Sequence, residues 1–74
     1  MPKRRQIICD AYNECGGDHG EFLRLVRHKG RQAGFNPLLI IALIQIAIKL
    51  WEIWLAHGVT TAPPQPLDGE PDVD

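Results

Sequence analysis

Residues 37–57 read PLLIIALIQIAIKLWEIWLAH, and this stretch decides the fold. Asn36 is a good helix N-cap, and Pro37 suits the first helical position because its missing N–H is not needed there. Gly58 suits the left-handed position that follows a last helical turn. The pattern predicts one long helix at about 37–57, roughly 31 Å in length.

The polar residues of this long helix fall on one narrow stripe. Gln45, Lys49 and Glu52 recur at spacings of four and three. The remaining apolar arc covers about 260° of the circumference, whereas an ordinary surface helix has an apolar stripe little wider than about 100°. Two shorter helices of the same chain would cover about half of that arc. An apolar surface of this size indicates contact with another protein surface or with a bilayer.

The residues before the long helix predict two shorter helices. The first, at about 4–15, has apolar residues on one face at the helical spacings of three, four and seven, and Gly16-Gly17 ends it. This face comprises Ile8, Ala11, Tyr12 and Cys15.

The second short helix is predicted at about 19–33. Asp18 precedes it as an N-cap, and Glu21 three positions later completes a pattern like a capping box. Gly30 weakens this prediction because glycine disfavours a helix interior, and the helix either ends near Lys29 or continues to a stop at Gly34. The sequence therefore predicts an all-α fold.

Residues 59–74 differ from the rest of the chain. They contain four prolines and four acidic residues, and no basic residue. Such a composition is typical of an extended or disordered segment. We therefore predict a small helical domain at 1–58 and a disordered, acidic, proline-rich tail at 59–74.

The charges are unevenly distributed along the 74 residues. Seven basic and four acidic residues precede Pro37, so the head carries about +3, and the four acids of the tail carry about −4. With a net charge of −1, the whole molecule is not a polycation of the kind that binds nucleic acid. Cys9 and Cys15 on one helix would lie about 9 Å apart, beyond disulfide reach, so we expect reduced thiols and a cytoplasmic protein.

No motif in the sequence indicates catalysis. The cysteines and histidines lack the short spacings of common zinc sites, and no glycine-rich phosphate loop follows a strand. A helical chain of this length offers little concave surface for a substrate. We therefore predict a non-catalytic protein without a metal, a cofactor or a small-molecule substrate.

Self-association through the long helix is the function that we expect from the sequence, with a homo-oligomer as the product. Trp51 and Trp54 are expected to be either interface anchors or part of the chain's own core. The residues expected to face another copy or a membrane are Leu39, Leu43, Ile46, Leu50, Trp51, Ile53 and Trp54.

Three other interpretations stay open at this point. The long helix has about the length of a membrane span, with the basic head cytoplasmic and the acidic tail outside, or it lies in the membrane interface. It could instead bind a different protein, or the chain could be a nucleic-acid-binding accessory protein. A weak anion contact is predicted on the second helix, at Arg24, Arg27, Lys29 and Arg31.

Overall fold

The computed structural model describes residues 4–63 and 65–71. Within them the chain forms three α-helices and no strand, which confirms the all-α prediction. The helices are α1 at Arg4–Glu14, α2 at His19–Gln32 and α3 at Pro37–Ala56. Each predicted boundary agrees with the structure to within one residue.

Local signals in the sequence define the start of α2 and of α3. The Asp18 side chain accepts a hydrogen bond from the Glu21 N–H at 3.2 Å, and the Asn36 side chain accepts one from the Leu39 N–H at 2.9 Å. Each bond satisfies one of the free N–H groups of a first helical turn. Pro37 follows Asn36 in the first turn of α3, as the sequence predicts.

Helices α2 and α3 are each followed, after one capping residue, by a glycine with a left-handed backbone. The φ angle is +88° at Gly34 and +70° at Gly58, values that few other residues adopt readily. After α2 the Phe35 N–H bonds the Gly30 carbonyl, and after α3 the Val59 N–H bonds the Trp54 carbonyl, both at 3.0 Å. These are Schellman-type ends, which satisfy carbonyls that the helices leave free.

The core lies where the three helices meet. Its largest completely covered side chains include Trp54 and Leu43 from α3, Phe22 from α2 and Ile8 from α1. The Tyr12 ring meets the Trp54 ring edge-on, with 4.7 Å between the ring centres, and its hydroxyl donates a hydrogen bond to the Val59 carbonyl at 2.5 Å. The aromatic rings therefore join α1 to the end of α3.

Gly30 is a point of close contact between α2 and α3. A Cβ atom added there would lie 2.6 Å from the Ile40 Cδ1 atom and 3.0 Å from the Leu43 Cδ2 atom. Gly30 is buried within α2 although glycine disfavours helices. The residue that weakened the sequence prediction of α2 is thus the one that lets the two helices pack closely.

Residues 59–63 and 65–71 follow α3 without forming a helix or a strand. The Glu70 carboxylate accepts hydrogen bonds from the Arg5 guanidinium at 2.5 Å, the Trp54 indole N–H at 3.0 Å and the Leu67 N–H at 2.7 Å. Disorder of the tail and its boundary at residue 59 stay predictions. The contacts of Glu70 provide a way of testing them.

Candidate association surface

The first question is how much of α3 the other helices cover. Five of its 20 residues are buried, and they all lie on the side that faces α1 and α2. The buried residues are Ile40, Leu43, Ala47, Leu50 and Trp54. The opposite side of α3 faces solvent, and we call it the outer face.

Large apolar side chains lie on the outer face. Leu38 is 78% exposed, Ile41 is 56% exposed and Leu55 is 64% exposed. Gln45, Lys49 and Glu52 are exposed on the same side, so neither α1 nor α2 covers the polar stripe. The outer face therefore combines a short polar stripe with exposed leucine and isoleucine.

The chain itself buries three of the seven residues that the sequence assigned to an interface or a membrane. Leu43, Leu50 and Trp54 are completely buried by the chain itself and cannot face a partner in this fold. All three lie on the side of α3 that α1 and α2 cover. For Trp54 the alternative of a core residue is the one observed.

The other four predicted residues are partly exposed to solvent. Leu39 is 38% exposed, and Ile46, Trp51 and Ile53 are half-buried against the core. The Trp51 ring packs on the Phe22 ring, with 5.0 Å between the ring centres. These four side chains flank the outer face. The sequence missed Leu38, Ile41 and Leu55, and only the position of α2 against α3 reveals that they are uncovered.

The structure divides the predicted anion contact into two pairs. The Arg24 guanidinium is bonded to the Glu21 carboxylate, and the Lys29 ammonium lies 2.7 Å from the Glu14 carboxylate. Arg27 and Arg31 are exposed, and neither has an acidic partner among the described residues. The pair that can meet an external anion is therefore Arg27 and Arg31, which lie one helical turn apart.

A groove of about 410 Å³ runs beside this arginine pair. Arg27 and Arg31 of α2 form one side, and Phe35 of the connecting segment lies with them. The first turns of α3 form the opposite wall. We call it the arginine groove, and its α3 lining consists of Pro37, Ile40, Ile41 and Ile44.

The remaining reactive side chains have ordinary structural surroundings. Cys15 is buried and its thiol contacts the Tyr12 carbonyl at 3.2 Å, while Cys9 is half-buried and unpaired. Burial raises the pKa of the Cys9 thiol, although the nearby Arg5 opposes this, so little reactive thiolate forms at neutral pH. Within 4–63 and 65–71, no three His, Cys, Asp or Glu side chains are grouped closely enough to hold a metal ion.

Helix α3 has the length and composition of a membrane span. The mean hydropathy of its most apolar 18-residue window is 2.0, and 28% of that window is buried inside the protein. The core helix of a soluble protein can satisfy the same criteria of length and composition.

Comparison of the chain with protein-family models, with curated proteins and with solved structures found no match.

Proposed function

We propose that the protein acts without catalysis, by self-association through the outer face of α3. The observation that carries this proposal is the exposure of Leu38, Ile41 and Leu55 on one side of a single helix. In a two-fold dimer, three such side chains from each copy, six in total, would be buried away from water at the interface. At about 1–2 kcal/mol each for a side chain more than half exposed, the gain is on the order of 6–12 kcal/mol.

This gain is comparable with the cost of association. Bringing two proteins together costs about 4–15 kcal/mol in lost freedom of motion. The two ranges overlap, so we expect a reversible dimer whose population depends on protein concentration. Two-fold symmetry is the commonest arrangement of such assemblies.

The spacing along the outer face supports helix-to-helix pairing. Its positions alternate at intervals of three and four residues, which is the repeat of a coiled-coil seam. The seam consists of Leu38, Ile41, Gln45, Ile48, Glu52 and Leu55. A second α3 could therefore lie along the whole length of the first.

The charges on the seam favour an antiparallel pair. In a parallel pair Glu52 would meet Glu52 of the other copy, and two like charges would repel. In an antiparallel pair with Gln45 opposite Ile48, Leu38 meets Leu55 and Glu52 meets Ile41. Lys49, three positions before Glu52, can still neutralise that carboxylate from its own helix.

The fold argues against α3 as a membrane span. Helix α2 packs along α3 through Gly30, and it carries Arg27 and Arg31 on its surface. A spanning α3 would either lose this packing or take both arginines towards the hydrocarbon, at about 2.5–3.5 kcal/mol each near the centre. The free thiols agree with a cytoplasmic location. If the protein did not self-associate, the outer face would be left for a membrane, a different protein or nucleic acid.

Molar mass measured by light scattering in detergent-free buffer tests self-association. We expect a mass that rises with concentration above the 8.3 kDa of one chain. Leu55→Glu should keep the protein monomeric because it places a charge in the seam, and Leu55 lies outside the arginine groove. Gln32→Glu, which adds the same charge at an exposed position of α2, serves as the control and should not change the mass. A wild-type protein that stays at 8.3 kDa at every concentration would refute the proposal.

A further inference from the structure

The arginine groove combines two kinds of surface, and Ile41 is the one groove residue that also belongs to the seam. The open side of the groove carries two guanidinium groups, and its walls are apolar. Arg27 and Arg31 are exposed and have no acidic partner among the described residues, although Arg24 and Lys29 on the same helix are both ion-paired. A ligand that satisfies the groove must therefore carry an anionic group next to an apolar body.

The anionic group that fits best is a phosphate. Guanidinium groups bind phosphate oxygens through paired N–H donors, and two of them one turn apart can contact the same group. Pro37 begins α3 on the opposite wall, so the positive end of the α3 dipole lies beside the arginines. This arrangement adds a favourable field for an anion.

The apolar walls suit a hydrocarbon chain. Phe35, Pro37 and Ile44 line the groove together with Ile40 and Ile41. The volume of about 410 Å³ is within the usual range for ligand sites, about 300–1,000 Å³. The groove has no aromatic pair of the kind that stacks on nucleic-acid bases, and two arginines would neutralise only two phosphates.

We infer that the arginine groove binds an anionic phospholipid at the surface of a bilayer, with the phosphate at Arg27 and Arg31 and the upper part of an acyl chain against Phe35 and Ile44. The described acidic part of the tail lies at the far end of α3, where Glu70 contacts Trp54. The groove lies at the start of α3, so the positive end of the molecule can approach a negative membrane surface. This function is additional to self-association.

Sedimentation with phospholipid vesicles tests the inference. The probes are vesicles of phosphatidylcholine alone and vesicles that also contain phosphatidylglycerol. We expect the wild-type protein to sediment with the anionic vesicles only. The double variant Arg27→Gln, Arg31→Gln should bind about 10- to 30-fold more weakly, because each basic residue contributes roughly five-fold near an anionic surface.

A matched control removes the same two charges from the same helix. The double variant Arg24→Gln, Lys29→Gln loses the two ion-paired residues and leaves the groove intact. It should bind anionic vesicles within about three-fold of the wild type. An equal loss in the two double variants would overturn the inference, because binding would then depend on total charge.

A second measurement tests the apolar part of the groove. Ile44→Ala should weaken binding to anionic vesicles several-fold, once circular dichroism shows that the variant is folded. If the wild-type protein bound phosphatidylcholine vesicles as tightly as vesicles that contain phosphatidylglycerol, the inference would be overturned. Release by millimolar inorganic phosphate or by a short DNA duplex would overturn it too, because the groove would then hold a free anion or a nucleic-acid phosphate instead of a lipid.

Discussion

Replacing Gly30 by alanine tests the close contact between α2 and α3. In an isolated helix this change would stabilise the folded state by about 1 kcal/mol, because alanine is the better helix former. In this fold the new Cβ atom would lie 2.6 Å from Ile40 Cδ1 and 3.0 Å from Leu43 Cδ2. Both distances are shorter than the ordinary contact between two carbon atoms, about 3.5–4.0 Å.

The cost of the overlap should exceed the gain in helix propensity. Forcing an extra methyl group into a packed core costs about 1–3 kcal/mol. The Ile40 Cδ1 atom is the end of a side chain and can move, but Leu43 is completely buried and has little room. We therefore expect a net loss of up to about 2 kcal/mol, or a fall of several degrees in the melting temperature.

Gly20→Ala is the matched control. Gly20 also lies in α2, and a Cβ atom there would meet only the Asp18 carboxylate, at an ordinary distance of 3.4 Å. This variant should be as stable as the wild type or slightly more stable. The assay is thermal and urea unfolding followed by circular dichroism, at one protein concentration because association shifts stability. If Gly30→Ala stabilised the protein as much as Gly20→Ala, the close contact would not exist.

Two further predictions concern the end of α3 and the tail. Trp54→Ala should cost about 3–5 kcal/mol, because it removes a completely buried ring, and an unchanged urea midpoint would place Trp54 outside the core. Burial opposes ionisation of Glu70, but the hydrogen bonds from Arg5, the Leu67 N–H and Trp54 hold the pKa of its carboxyl below the ordinary 4.5. Its contribution to stability is therefore present above about pH 4.5 and is lost as the pH falls through the lower folded-state pKa. Glu70→Gln should reduce the melting temperature at pH 7 and much less at about pH 3. No difference between the two proteins at pH 7 would mean that the tail is not anchored at Glu70.

The sequence by itself determined the three helices and all their ends except that of α2, which stayed open between Lys29 and Gly34. Helix boundaries depend on neighbours within a few residues, such as Asn36 before Pro37 and Gly34 after α2. Such local signals can be recognised from the amino-acid sequence alone. The excess of apolar surface on α3 could also be predicted from the sequence, because the spacing of Gln45, Lys49 and Glu52 is enough to define the width of the apolar arc.

Only the tertiary structure decided which part of that apolar surface is covered. An apolar arc of about 260° shows that other protein surfaces or a membrane must cover α3, but it does not show from which direction the other helices approach it. The sequence suggested that Leu43, Leu50 and Trp54 face outward, and the structure buries all three. The approach depends on contacts between residues that are distant in sequence, such as the close packing of Gly30 against Ile40 and Leu43, and Leu38 stays exposed in the resulting fold.

The same physical reason applies to the basic residues. The sequence grouped four of them on α2, and it could not show which had partners. Glu14 is distant in sequence from Lys29, and only the packing of α1 on α2 brings their side chains together. Folding therefore decided that Arg27 and Arg31 are the cations left for an external ligand among the four.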